Sequence, residues 1–562
     1  MEWIRRGSNV ESERLVRITG ANKLLIDILL NRGFSSTDIQ QIFLYPSKCL
    51  LDPKLLTMAL EVAKVIIKFV KNNPNGMIVI FADYDTDGIT SGYIMSQVLS
   101  ELHDNVLIYY PNRSEGYGLN MDFCKKVVER ECEQGKLVIT VDNGTSAIEE
   151  VKYLKENGVE VIITDHHTPK ETLPDCLIVN PHVHNDEKYK HLAGCGVAFK
   201  VCQVIQELLE LDTMYYYSHA LAIGTIADMM PMTKENIVLC MTGRMLMNSN
   251  ECPTPLKAFK KYFGKDDISF VDIGWELAPM INACGRMGDT AFASKIFLDA
   301  DLSTQDALEQ VIVEMVKINE CRKDITKTQT EYAFKHIDES QQVIVHVVKD
   351  CPEGIAGVVA NKILERYQRP CIVLSEHNGV YGGSGRGING YSILKILEIE
   401  NAKGNLLSYG GHSAAAGLSL RDLDKFTKSV QETILEVERE EVAEDASNVG
   451  YTDGLLTLKD LNKNTLNVLN MIPYDKEVLP QPIFEWNVEI TSCTPAKNNN
   501  DNGWLTIKDN TGELRYWVKD IYKIWNELGK PKQVKIIGNV KAGFGASEGK
   551  VIIEIIDIKG VS

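Results

Sequence analysis

Phe81-Ala-Asp-Tyr-Asp-Thr-Asp-Gly-Ile-Thr-Ser-Gly92 carries carboxylates at three alternate positions, Asp83, Asp85 and Asp87. The run Met77-Ile-Val-Ile-Phe81 leads into it and reads as a buried parallel strand. Ile89, Met95, Val98 and Leu99 mark a helix behind it. In an extended segment, residues i, i+2 and i+4 face one side, so the three carboxylates are expected to converge where the strand ends. Carboxylates packed together repel, and a bound cation offsets that repulsion. The alternative is an Asp-rich turn hinged on Gly88. The rest of the chain decides between the two.

Strands are predicted at 77–81, 106–110, 137–141, 161–164 and 177–179, with helices near 89–102, 119–132 and 146–157. This alternation implies parallel βαβ units, and such sheets bind ligands at the carboxyl ends of their strands. Two more strands end in metal-type side chains. One gives Thr140-Val-Asp142-Asn-Gly144 and the other Thr164-Asp165-His166-His167-Thr168-Pro169. A further acid, Asp228, closes a helical pattern in Gly224-Thr-Ile-Ala-Asp-Met-Met-Pro231. Adjacent histidines cannot point the same way from a strand. One of His166 and His167 is therefore expected as a direct ligand, the other behind it or on the phosphate side. Asp and His without thiolate suit Mn²⁺ or Mg²⁺. The donor count suits two ions, and a pair about 3.5–4 Å apart clamps both oxygens of an in-line displacement at phosphorus. The reaction class expected is metal-assisted phosphoester or phosphoanhydride hydrolysis.

The 562 residues imply three or four domains of ordinary globular composition, 44% hydrophobic and 24% charged. Thirteen cysteines without a C-x-x-C pair point to reduced thiols in a cytoplasm. No apolar h-region follows Met1-Glu-Trp-Ile-Arg-Arg-Gly, and no run of 18 apolar residues occurs, so neither a signal peptide nor a membrane span is expected. No G-x-x-x-x-G-K-[ST] is present, which argues against a nucleotide-driven motor. A net charge of −17 argues globally against nucleic acid. It is compatible with an acidic enzyme that has one basic groove, and metal-binding carboxylates add to the negative count.

Asp-Tyr-Asp-Thr-Asp-Gly, Val-Asp-Asn-Gly, Thr-Asp-His-His and Ala-Asp-Met-Met-Pro, in that order, resemble the four motifs of the DHH phosphoesterase superfamily. The resemblance is closer to its RecJ branch, single-strand-specific 5′→3′ DNA exonucleases. It extends to Pro111-Asn-Arg113-Ser-Glu-Gly-Tyr117-Gly, Leu192-Ala-Gly-Cys-Gly-Val-Ala-Phe199, Pro279-Met-Ile-Asn282-Ala-Cys-Gly285-Arg286-Met, Gly383-Ser384-Gly-Arg386 and Tyr409-Gly-Gly-His412-Ser-Ala-Ala-Ala-Gly417. It is strong over roughly residues 75–420 and weaker beyond. It implies metal binding by Asp83, Asp85, Asp87, Asp142, His166, His167 and Asp228, with Asp83 the least defined and Asp165 orienting a histidine. Asp142 is expected to bridge the two ions. Asp142, His167, Arg286 and His412 are the residues expected at the reacting phosphate. Arg113, Ser384 and Arg386 are implied as readers of a 5′-terminal phosphate. Tyr117 is a stacking residue or a turn-packing one. Two segments depart from the pattern. Asp350-Cys-Pro-Glu-Gly354 lacks the usual Trp with His or Asn, and Gly387 replaces the usual serine after the arginine.

The fold class expected is α/β. Two α/β lobes, a parallel-sheet domain and a smaller one, are joined by a long helix, and a β-barrel of OB type follows. The expected boundaries are 1–72 helical, 73–299 catalytic, 300–340 connecting helix, 341–446 second α/β domain, 447–480 connector and 481–562 barrel. Arg322 and Lys323 on the connecting helix are candidate phosphate contacts. The Gly382–Gly387 run is expected as a phosphate-approaching loop with Arg386 as its fork. The acidic stretch Glu436, Glu438, Glu440, Glu441, Glu444 and Asp445 reads as a solvated linker. Residues 480–562 hold eleven Lys+Arg against ten Asp+Glu, against the acidic trend. Trp504, Tyr516 and Trp517 there are candidate stacking platforms. The expected partner is single-stranded DNA, with a single-strand-binding protein or a helicase, and the expected state is a monomer. Two other readings stay open. One is another DHH hydrolase acting on pyrophosphate, short oligonucleotides or cyclic dinucleotides. The other is a non-catalytic binding relative.

Overall fold

The computed structural model describes all residues except 1, 8–9, 117, 299–304, 350, 389, 438–448, 498, 544 and 562. Strand β1 (Glu2–Arg5) is followed by helices Val10–Thr19, Lys23–Asn31, Ser36–Leu44 and Ala59–Asn72. The first sheet then forms from β2 (Met77–Ala82), β3 (Val106–Tyr109), β4 (Lys136–Val141), β5 (Val159–Thr164) and β6 (Leu177–Val179). Its order is β3-β2-β4-β5-β6, and every pair is parallel. The strands read as unbroken apolar runs because both faces are covered. Ile78, Ile80, Leu137, Ile139 and Val141 pack with Ile94 and Met95 on one side. Val79, Phe81, Val138, Val161 and Ile163 pack with Phe123, Val151 and Leu154 on the other.

Helices from Gly194–Leu209 to Ala278–Met287 complete this lobe. Helix Gln305–His336 then runs 32 residues, about 48 Å, to the second lobe. Leu308, Ile312 and Met315 bury one stripe of it in the first lobe, and Ala333 lies in the core of the second. The second sheet has strands β7 (Ile344–Val348), β8 (Cys371–His377), β9 (Val380–Arg386), β10 (Ser408–Gly411) and β11 (Ala415–Leu420), in the order β10-β11-β9-β8-β7. The glycine run at 382–387 is not the loop expected of it. Residues 380–386 are the central strand β9, laddered to β8 and β11. Its glycines answer to packing: a Cβ on Gly383 would sit 2.0 Å from the Val373 carbonyl, and one on Gly385 2.6 Å from Ile393.

Strand β12 (Val449–Thr452) pairs with β1 in parallel. The region expected as a connector also holds helix Lys463–Leu469 and buries Leu469, Ile472 and Leu479. Most of the acidic linker residues, Glu438 to Asp445, lie outside the described residues. The last sheet contains β13 (Phe484–Ala496), β14 (Asn499–Lys508), β15 (Glu513–Val518), β16 (Gln533–Ala542) and β17 (Val551–Gly560), all antiparallel. Its order is β15-β14-β13-β16-β17. The expected closed barrel is not confirmed: among the described residues no ladder joins β15 to β17, so the sheet is open. Helix Ile521–Glu527, between β15 and β16, was not anticipated from the sequence.

Candidate active site

The carboxylates gather by a strand–turn–helix rather than along one extended face. Strand β2 stops at Ala82, and the Asp85 side chain then caps helix Thr86–Ser100, accepting from Asp87 N at 3.0 Å and Gly88 N at 3.1 Å. Asp87 therefore lies in the helix's first turn. Gly88 permits the tight return, since a Cβ there would sit 2.5 Å from the Asp83 carbonyl. The simple alternation expected of Asp83, Asp85 and Asp87 is corrected accordingly, and the three divide between two groups. Ligand atoms of Asp83, Asp85 and Asp142 lie within 4.8 Å of one another, as do those of Asp87, His166 and Asp228. A third such group joins Asp142 to His166 and His167, so Asp142 links the two sides.

Asp142 follows β4 in the left-handed region, φ 60°, where a non-glycine side chain is strained. That turn points its carboxylate at the cluster. Gly194, which starts a helix, makes room: a Cβ there would lie 2.4 Å from Asp142 Oδ1. The same helix start holds Asp87, with Gly194 N donating to Oδ2 at 2.6 Å and Cys195 N to Oδ1 at 2.9 Å. His166 Nε2 stands 3.2 Å from Asp142 Oδ1 and 3.8 Å from both Asp87 Oδ2 and Asp228 Oδ2. Asp165 orients the neighbouring ring: its Oδ1 is 2.8 Å from His167 Nδ1 and accepts from His166 N and His167 N. Asp165 Oδ2 accepts from Thr145 N at 3.1 Å, and Asn180 ties Thr145 to the His167 carbonyl. Thr145 and Asn180 carry no sequence signal of this role, because they act through turns that bring distant segments together.

The electrostatics call for a cation. Asp83 Oδ1 and Asp142 Oδ1 are buried without a hydrogen-bond partner. Burial and the Asp85 charge push the Asp83 carboxyl up to about 8. Burial and the charges of Asp87 and Asp85 push Asp228 up to about 8 also. Asp142 is pushed well above the carboxylate range by burial and by Asp87, Asp85 and Asp83. Burial opposes charge on Asp165, but the His167 hydrogen bond outweighs it and holds this carboxyl well below the usual range. Burial likewise opposes charge on His167, and Asp165 overcomes it, raising the imidazole to about 9. Oxygen and imidazole donors with orphaned buried oxygens fit hard divalent cations.

The second lobe faces this cluster. A Cβ on Gly354 would lie 2.6 Å from the Arg286 carbonyl, and Arg286 Nη1 donates to the Gly354 carbonyl at 3.1 Å. Burial and the neighbouring guanidinium charges of Arg113 and Arg322 push Arg286 down to about 10. Arg113 stacks 4.3 Å over the Tyr84 ring, and its Nε is buried without a partner. Arg386 is held by Asn361 Oδ1 at 2.6 Å, by the Gly385 carbonyl at 2.8 Å and by Ser384 Oγ. Gly357 opens the space, since a Cβ there would meet Arg386 Nη2 at 2.8 Å. Asn361 was not anticipated from the sequence. His412 sits at the β10–β11 turn, where its backbone N donates to the Ala415 carbonyl at 2.8 Å. Partial burial and the charge of His167 hold its imidazole below the ordinary value.

Other expected contacts divide. Arg322 lies near Arg286, whereas Lys323 is exposed and paired with Glu320. Tyr117 lies outside the described residues. Trp504 and Trp517 are register partners on the outer face of the last sheet, with Arg515 5.3 Å over the Trp504 ring. Tyr516 is fully buried on the opposite face and cannot stack on a base, because the strand alternation turns it into the core.

This fold and site define a DHH-family protein. The model of the DHH family, N-terminal domain, matches residues 77–225, and that of the DHHA1 domain matches residues 340–438. A solved structure of a manganese-bound exonuclease RecJ is 30% identical, covering 69% of this chain and 96% of that one, with a TM-score of 0.60. The Mn²⁺ complex of Thermus thermophilus RecJ has the same fold, with a TM-score of 0.78 at 23% identity, covering 100% of this chain and 79% of that one. The single-stranded-DNA-specific exonuclease RecJ of Bacillus subtilis is 30% identical over 539 residues, 92% of this chain and 65% of that protein. The chain belongs to the RecJ family. It spans about two thirds of the length of that Bacillus subtilis relative.

Proposed function

We propose that the protein is a metal-dependent exonuclease that degrades single-stranded DNA from the 5′ end to mononucleotides. The observation that carries this is the joining of two halves of one site. In this reading a carboxylate–imidazole cluster with orphaned oxygens on Asp83 and Asp142 works with an arginine pocket of Arg113, Ser384 and Arg386, supported by the Arg386–Ser384 hydrogen bond and by the charge of Arg113 acting on Arg386. Two divalent cations, Mn²⁺ or Mg²⁺, held by Asp83, Asp85, Asp87, Asp142, His166, His167 and Asp228, would supply the charge that polarises the scissile phosphate and activates water. Solved RecJ structures with manganese and magnesium support that choice of ion. Asp142 links the two ligand groups, and Asp165 fixes the His167 ring. Arg286 and His412 flank the phosphate and offset developing negative charge. The Arg386 fork, preset by Asn361 and Gly385, reads a terminal phosphate dianion.

The last sheet is proposed as a partly open OB-type module, supported by its five strands with an intervening helix, and Trp504 and Trp517 as its stacking pair. Both halves of the site come from one chain, which supports a monomer. The thirteen cysteines are unpaired, which supports a cytoplasmic setting. A single-strand substrate has to be freed from duplex and kept open, which is the role of a helicase or single-strand-binding protein in recombination and repair.

Digestion of 5′- and 3′-labelled strands of DNA and RNA, and of dinucleotides, with Mn²⁺ or Mg²⁺, tests the reading. Early release of 5′-labelled mononucleotide from DNA is the expected result. Hydrolysis of dinucleotides alone would replace the reading with a short-oligonucleotide phosphodiesterase. No hydrolysis with either ion would make the chain a binding relative.

A further inference from the structure

Trp275 is 73% exposed, in a chain whose other large apolar side chains mostly lie in cores. It sits in a π-helical turn, Ile273–Leu277, that runs directly into helix Ala278–Met287. Such turns concentrate at functional sites. Ile273, Leu277, Ala278 and Ile281 are buried, while Trp275 is exposed and Pro279, Asn282 and Arg286 are partly covered. Those four recur at spacings of four, three and four, which is one helical face.

That face runs through the proposed site. Arg286 Nη1 donates to the Gly354 carbonyl at 3.1 Å, at the start of the helix whose Gly357 makes room for Arg386. Asn282 Oδ1 accepts from Thr86 N at 3.0 Å, at the turn that carries Asp85 and Asp87. Trp275 precedes Asn282 by seven residues, about 10 Å along the helix, the rise of about three stacked nucleotides. Its neighbour Gly274 approaches Ile226, with 3.6 Å from a built Cβ to Cγ2, two residues before Asp228. Met229, directly after Asp228, is 56% exposed. The order along the helix is thus end pocket, metal loop, apolar platform. The charge of the carboxylates that flank Trp275 is offset in part by Lys265, which pairs with Asp272 at 2.5 Å and with Glu276 at 3.2 Å.

Resting on the exonuclease reading above, we propose that Trp275 stacks on bases on the 3′ side of the scissile phosphate and holds the incoming strand. A strand whose 5′ end occupies the Arg386 pocket and whose first linkage lies at the cluster has only its downstream nucleotides left to reach this platform. Trp275 is a positioning residue for longer substrates and touches no reacting atom.

The test compares Trp275→Ala and Trp275→Phe with the parent on 5′-phosphorylated DNA of two, four, eight and twelve nucleotides, with Mn²⁺. Base stacking on an aromatic ring is expected to show as a rise in KM of about tenfold for Trp275→Ala on eight and twelve nucleotides. Dinucleotide turnover stays near the parent's, and Trp275→Phe recovers most of the loss. An abasic site at the third to fifth nucleotide weakens the parent but adds nothing to Trp275→Ala. Equal losses at all lengths, no loss at any length, or an abasic penalty unchanged in Trp275→Ala would overturn the role of Trp275. Failure of the parent enzyme to release 5′ mononucleotides would instead overturn the exonuclease reading.

Discussion

At Asp142 a strained backbone and an orphaned oxygen coincide, and strain of that kind persists where the surroundings over-determine it. Asp142→Ala is expected to lower Mn²⁺-supported turnover by about 10³-fold or more, since bridging two ions is worth several kcal/mol. Strand affinity, measured by fluorescence anisotropy, should fall far less, because the arginine pocket is untouched. The same cluster sets a pH dependence. Asp83 and Asp228, raised to about 8, bind protons in the folded protein that the unfolded chain has released. Their stabilising effect is full below the ordinary carboxylate range and is lost as pH rises through about 8. The metal-free protein should therefore melt at falling temperature as pH rises from about 4 to about 8. Excess Mn²⁺ should remove that fall, and Asp83→Asn should flatten it without metal, both read by calorimetry. At Arg386, substitution by Ala should weaken preference for 5′-phosphorylated over 5′-hydroxyl ends by about tenfold or more, the scale of a charge-assisted bidentate contact. Equal loss on both kinds of end in a competition digest would remove it from end sensing.

Helix starts and strand ends position these groups, and here the sequence is legible to different depths. The run 77–82 is apolar because both sheet faces are covered, so β2 and its acidic end can be read directly. Where the helix begins is less visible, because a capping Asp and a metal-ligand Asp are the same residue type. Asp85 caps, Asp83 lies before the turn and Asp87 inside it, and only the geometry separates them. The glycines of β9 mislead for a related reason: glycine marks close approach, and residue type alone does not tell whether a phosphate, helix Glu353–Tyr367 or the neighbouring strand β8 approaches. Gly194 is the element-scale counterpart of Asp142. A side chain there must push the helix start away from Asp142 and loosen its two N–H bonds to Asp87. Gly194→Ala is expected to weaken Mn²⁺ binding by about 10–100-fold, the usual effect of disturbing groups that orient ligands. Titration calorimetry measures that change, and an unaltered circular dichroism spectrum would show the helix still formed.

Across the whole molecule the order of motifs tells which lobe follows which, but not what ties the ends together. Pairing of β1 with β12 has no local signal, because its partners, residues 2–5 and 449–452, are far apart in the chain. Yet this tie is dense. Trp3 covers Gly450, and its Nε1 donates to Asp557 Oδ2 at 2.8 Å. Arg5 reaches buried Glu485 at 2.6 Å, and Arg32 grips Asp453 through two bonds of 2.6 and 2.9 Å. The N-terminal strand thereby fastens the last sheet to the helices that precede the first one. Removing residues 1–7 leaves Glu485 with Thr452 and Lys535 and leaves Asp453 with Arg32, so the module keeps its fold but loses part of its fastening. The expected cost is about 1–3 kcal/mol, the scale of losing a hydrogen-bonded partner of a buried charge. It should appear as an earlier urea transition of tryptophan fluorescence and as faster release of a C-terminal fragment in limited proteolysis. Hydrolysis of a dinucleotide should hold within about twofold, because the carboxylate cluster and Arg386 make no contact with β1, while affinity for strands long enough to reach Trp504 and Trp517 should drop. If both substrates suffered equally, the tie would be holding the catalytic lobes as well as the last sheet.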